Sequence, residues 1–150
     1  MSADIANVVE RMSSTDAEVR LAAVEELTQS AEAAQPAAVP LLRACLDEDE
    51  RICEAAGAAL ETIGAPQPED LNEIAEWLDH SDPNVGYWAA TFIGRLGSVA
   101  APGVQALTAA LSEQRHAIVR QRAAWALGRI GRGGRLRAGG RSPPERRCGT

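Results

Sequence analysis

The chain has 150 residues, a formal net charge of −6, 45% hydrophobic residues and only five aromatic ones. That length suits one domain with a modest core. It contains no lysine, so all 15 basic residues are arginine, which excludes a lysine Schiff base and a phosphate-loop lysine. Alanine is the commonest residue, with 29 copies, as expected where helices pack closely. The charge is uneven. Residues 1–114 hold 5 Arg against 20 Asp and Glu, a net of −15, and residues 115–150 hold 10 Arg against one Glu, a net of +9. The acidic part repels a nucleic-acid backbone, so nucleic-acid contact is expected only weakly, through the basic end.

Ile5, Val8, Val9 and Met12 open the chain as one apolar helical stripe, which predicts a half-repeat capping a stack. After it the same spacing returns four times, anchored on Val19, Ile52, Val85 and Val119, at intervals of 33, 33 and 34 residues. Four residues beyond each anchor stand Ala23, Ala56, Ala89 and Ala123. Eight beyond stand Leu27, Leu60, Ile93 and Leu127, and eleven beyond stand Ser30, Ile63, Leu96 and Ile130. Positions 0, 4, 8 and 11 share one face of a helix. Asp16, Asp49 and Asp82 each precede an anchor by three residues and are predicted N-caps, and Pro83 fits the first helical turn. Gly64, Gly97 and Gly131 are predicted helix stops.

Second helices are predicted between the copies. Their stripes are Leu41, Leu42, Cys45 and Leu46; then Leu71, Ile74, Ala75 and Leu78; then Val104, Leu107 and Leu111. Pro36, Pro68 and Pro102 stand near their starts. A fixed period of this size predicts an all-α fold, an α-solenoid of about four helix pairs with the last incomplete. The domain is expected to cover residues 1–131. Residues 132–150, rich in Arg, Gly and Pro, read as a disordered tail or as the product of a frameshift or truncation.

The pattern resembles the HEAT repeat, in particular the short variety named for phycobilisome lyases (PBS lyase HEAT-like repeats), over roughly residues 4–131. The motif opens with Asp, follows with Val-Arg, and closes with Ala-Leu-Gly-x-Ile-Gly. Asp16, Val19 and Arg20 match it, as do Val119, Arg120, Ala126, Leu127, Gly128, Ile130 and Gly131. Cys53 and Gly86 stand where the motif has Arg, and His116 where it has Asp, so the Asp–Arg ladder of the family is expected to be broken. The resemblance implies an armadillo-type superhelix that binds other proteins as a scaffold or adaptor. Its alternatives are a bilin lyase-like or other modifying enzyme, and a fragment of a longer repeat protein.

Catalytic, cofactor and metal residues are expected to be none. His80 and His116 lack a partner at metal-ligand spacing, no His-Glu motif occurs, and Cys45, Cys53 and Cys148 show no Cys-x-x-Cys. Cys45 and Cys53 are predicted small core residues. No opening apolar run and no long apolar stretch occur, so a cytoplasmic, reduced compartment is expected. The binding candidates are Glu69, Asp70, Glu73, Glu76 and Trp77 on one second helix, with Tyr87 exposed nearby, facing a basic protein partner. Trp88 is expected to pack on a neighbouring helix. Ala123, Leu127, Ile130 and Trp125 are expected to lie partly uncovered at the last repeat, which makes self-association through that end an expectation too.

Overall fold

The computed structural model describes residues 3–137, with no strand among them. First helices α2 (Ala17–Ser30), α4 (Glu50–Thr62), α6 (Pro83–Leu96) and α8 (Ala117–Arg137) carry the repeated motif. Helices α1 (Ala3–Arg11), α3 (Ala38–Ala44), α5 (Leu71–Glu76) and α7 (Val104–Ala109) form the second set. The chain is thus an all-α solenoid of helix pairs.

The core follows the predicted register. Ala23, Ala56, Ala89 and Ala123 are fully buried, as are Leu27, Leu60, Ile93, Ile52 and Ile63. Each large aliphatic side chain so placed contributes about 1.5–3 kcal/mol relative to exposure. Leu96, expected in the core, is only half-buried, because it closes the last turn before Gly97 redirects the chain. Leu46 and Leu111 are likewise more exposed than their stripes predicted, at the ends of the second set of helices.

The helix starts are built as the spacing predicts. Asp16, Asp49 and Asp82 each accept from the backbone N–H two residues on, at 2.9 Å. In the fourth copy His116 takes this role, with Nδ1 accepting from the Ile118 amide at 3.3 Å. Gly64 and Gly97 adopt φ of 78° and 66° and stop their helices. Gly131 does not: α8 runs on to Arg137. Glycine permits the left-handed turn without imposing it, so a glycine alone is a weak stop. The 132–150 segment otherwise lies largely outside the described residues.

The second helices are shorter than the sequence suggests. Residues 31–37, 68–70 and 97–103 are 3₁₀ turns holding Pro36, Pro68 and Pro102. Proline fixes φ and donates no N–H, so each segment enters its short α-helix through a tighter turn.

Layer spacing is uneven. Helices α2 and α4 pack closely, as do α6 and α8, while α4 and α6 make few close backbone approaches. Side-chain size explains the difference. A Cβ on Gly94 would lie 2.4 Å from the Trp125 ring and 3.1 Å from Ala126 Cα, and one on Gly86 would lie 2.9 Å from Val119. These glycines let α8 approach α6. Trp88, Phe92 and Arg95 share another face of α6, and Arg95 reaches from it to α4.

Polar ladders cross the layers. Arg20 donates to both carboxylate oxygens of Asp47, at 2.9 and 3.1 Å, and to the Ser14 carbonyl. No Arg repeats this in the next two copies: Cys53 Sγ donates to the Asp47 carbonyl, and Gly86 leaves its space to Val119. Arg120 donates to the Arg115 and Glu113 carbonyls instead of a carboxylate. The ladder is broken where the sequence breaks it. A second ladder runs along the variable position of the closing motif. Arg95 donates to the Leu60 and Gly64 carbonyls, Arg129 to Gly94, and Thr62 makes a long 3.5 Å contact to Thr28. Each contact reaches carbonyls at or near the end of the preceding first helix, where intrahelical partners run short; Gly94 O also accepts from the Gly97 amide.

Candidate functional site: two faces of opposite charge

The acidic candidates divide. Glu73, Glu76, Trp77, Asp79 and His80 line a shallow hollow of about 370 Å³ at the C-terminal end of α5. The Trp77 ring stacks on His80, with centroids 5.8 Å apart and planes inclined by 23°. His80 Nδ1 also accepts from the Asp82 amide at 3.0 Å, which ties the hollow to the cap of α6. Glu69 and Asp70 stand one turn earlier, in the 3₁₀ segment, outside the hollow. Burial, followed by the charges of Glu73 and Glu69, raises the Asp70 pKa. The hollow is flanked by two ion pairs, Arg43–Glu73 at 3.1 Å and Arg115–Asp79. Glu76 has no ion-pair partner among the described residues.

Tyr87 lies elsewhere. It was expected to be exposed and to join the acidic face, but it is half-buried on α6 and turned toward α8. Arg122 donates to its hydroxyl and lies over its ring at 4.6 Å. The same guanidinium lies 4.5 Å from the Trp125 ring centroid, so Arg122 contacts both aromatic rings. Arg129 also packs on Trp125 at 5.3 Å, and Arg95 on Trp88 at 5.7 Å. Tyr87 and Trp88 meet edge to face. Trp125 therefore packs back on Gly94 of α6 and does not lie open at the end of the stack. Of the residues expected to be partly uncovered there, Ala123 and Ile130 are buried, while Leu127 and Trp125 are half-buried. The exposed positions of α8 up to residue 131 are Ala117, Gln121, Ala124, Gly128, Arg129 and Gly131.

These side chains, with Glu61 of α4, line a groove of about 320 Å³. Considered one at a time, Trp88 and Trp125 do not reveal this cluster in the sequence. The signal was available: positions 3, 6 and 10 of the repeat share a helix face, and they hold Trp88, Thr91 and Arg95, then Arg122, Trp125 and Arg129. Burial, followed by the Arg122 charge, pushes the Arg95 guanidinium below its ordinary pKa, while Glu61 and Tyr87 act the other way.

Neither Cys45 nor Cys53, the cysteines among the described residues, forms a site. Burial pushes the Cys45 thiol up to about 12, with smaller contributions from Cys53 and Asp82. Burial also raises Cys53, and both side chains are partly buried and free. No group of three His, Cys, Asp or Glu residues able to hold a metal occurs among the described residues. No helix among them is long and apolar enough to cross a membrane.

Alternating helix pairs, buried small residues and inter-layer caps define a helical-repeat scaffold. Residues 55–128 match the family model for HEAT repeats, and the helices before that span continue the same pattern. The fold is similar to the crystal structure of an engineered protein, at 23% identity and a TM-score of 0.56. That likeness covers 88% of this chain and 64% of the other, so the chain spans under two thirds of its neighbour's length. No curated protein matches the chain.

Proposed function

We propose that the chain is a non-enzymatic scaffold or adaptor that holds a basic segment of another protein against its α5 side. The observation that carries this is the hollow formed by Glu73, Glu76, Trp77, Asp79 and His80, where carboxylates surround a partly buried indole. A cationic side chain gains twice there, from the carboxylates and from the face of Trp77. The acidic balance of the first 114 residues steers a basic partner toward the array as a whole. This reading places the partner on a HEAT surface of the kind the short PBS lyase variety shares, in a cytoplasmic setting.

The test uses a short Arg- and Lys-rich helical peptide and the change in Trp77 emission on its binding. Reversing Glu69, Glu73 and Glu76 to Arg together should slow association and flatten its salt dependence. Glu69→Arg alone, outside the hollow, should do little. Equal binding by the parent and the triply reversed chain would remove this face from the proposal.

A further inference from the structure

The groove between α4, α6 and α8 has the opposite chemistry to the α5 hollow, and the scaffold reading does not use it. It gathers three guanidiniums, Arg95, Arg122 and Arg129, in a chain whose first 114 residues carry only 5 Arg against 20 acidic groups. No described carboxylate stands within ion-pair distance of any of them. Arg11, Arg20, Arg43, Arg51 and Arg115 each make such a pair, and Arg120 caps backbone carbonyls instead. Arg95 uses Nη1 on the α4 carbonyls, Arg129 uses Nε on Gly94, and Arg122 uses Nη2 on Tyr87. A guanidinium has five N–H donors, so each keeps donors for a ligand. Their positions are set by the backbone bonds and by Trp88, Trp125 and Tyr87, which restrict the rotamers. Preordered planar forks of this kind recognise carboxylates bidentately.

We propose that this groove is a second binding site, one that takes a short acidic peptide segment, with its carboxylates on Arg122 and Arg129 and its backbone along the faces of Trp88 and Trp125. A segment with a few charges fits better than a nucleic acid. The guanidinium field is local, since charges are screened beyond about 10 Å at ordinary salt. A long polyphosphate runs out of the groove onto the acidic array and is repelled there. Glu61, the acidic residue in the lining, sets the limit on anion affinity. The site is independent of the α5 hollow: it lies on the first-helix side and shares no lining residue with it.

The experiment uses the full chain carrying Trp77→Phe, so that Trp88 and Trp125 are the remaining tryptophans and report on the groove. A Trp-free peptide with several glutamates should change their emission saturably, and added salt should weaken the effect. Arg122→Gln should weaken binding by about tenfold, a loss typical of one charge-assisted fork. Glu61→Gln should tighten it, an effect a damaged fold does not produce. Circular dichroism checks that each variant keeps its helices. Three outcomes overturn the proposal. The first is no saturable change up to millimolar peptide. The second is tighter binding of a single-stranded oligonucleotide of equal charge. The third is an emission change that follows protein concentration without peptide, which would make the occupant a second copy of the chain.

Discussion

Gly94 shows how one missing methyl group sets the distance between two helices. Its Cα faces the Trp125 ring so closely that an added Cβ would stand 2.4 Å from Cζ3. Gly94→Ala should therefore push α8 away, at a cost of about 1–3 kcal/mol from overpacking. The intrinsic helix preference of alanine, about 1 kcal/mol over glycine, works in the opposite direction. A melting temperature below the parent's, with a shifted tryptophan emission, is the expected outcome. An unchanged melt with unchanged emission would show that α8 does not rest on this residue. Asp47 shows a different economy. Burial raises its pKa, but hydrogen bonds from Arg20 and from the Asp49 amide outweigh burial and leave it below the usual carboxylate value. Asp49 is lowered too, first by the Arg51 hydrogen bond. A depressed native pKa adds stability above the unfolded value, near 3.9, that is lost as pH falls through the native one. Thermal stability should thus drop on acidification below about pH 4, and Asp47→Asn should flatten that drop. Equal acid profiles for the parent and Asp47→Asn would refute the assignment.

At the scale of the helix, the departures from the repeat are as informative as the matches. His116 caps α8 where the three earlier copies use Asp. His116→Asp should stabilise the chain by about 0.5–1 kcal/mol, since a carboxylate both caps and meets the positive end of the helix. A melting temperature that stays level or falls would mean that the His116 contact is already the better one. The first helices were legible in the sequence because core face, cap and glycine stop all pointed the same way, as in α4 with Ile52, Leu60, Asp49 and Gly64. The second helices were legible only as stripes. Their length was not, because Pro36, Pro68 and Pro102 convert whole turns to 3₁₀ geometry without altering the apolar spacing. The expected stop at Gly131 differs from the structure, where α8 runs on to Arg137 because nothing there demands a left-handed turn. The acidic face was visible as composition, yet only Glu73, Glu76 and Trp77 of its candidates meet. Tyr87 was assigned to the wrong surface because its partner, Arg122, lies 35 residues away. Contacts between repeats appear only when equivalent positions are compared across copies.

For the whole molecule, the spacing of the layers matters more than any one contact. The pairs α2–α4 and α6–α8 are close, and the joint between α4 and α6 is open at the backbone level. It is bridged by Arg95 to the Leu60 and Gly64 carbonyls, by Arg43 to Glu73, and by Gln35 to the Ala65 carbonyl. Nearest-neighbour coupling governs repeat proteins, so a weak interface divides their unfolding. Leu60→Ala should cost about 2–5 kcal/mol as a fully buried site in α4. The loss should fall on the half containing α1–α4, read as faster amide exchange there than in α6 and α8. Uniform acceleration across all eight helices would show that the joint transmits stability fully.

The same joint has a mechanical consequence. Two blocks of closely approaching helices joined by a layer of side-chain contacts would not bend like a uniform rod. Curvature would concentrate where backbones stand farthest apart, and here that is the side-chain-filled layer between α4 and α6. Glu61 stands on one bank of it and Trp88 and Arg95 on the other, so flexing the superhelix opens or narrows the arginine-lined groove. A ligand seated there would act as a splint, and the pitch of the helical stack would then read out whether the groove is filled.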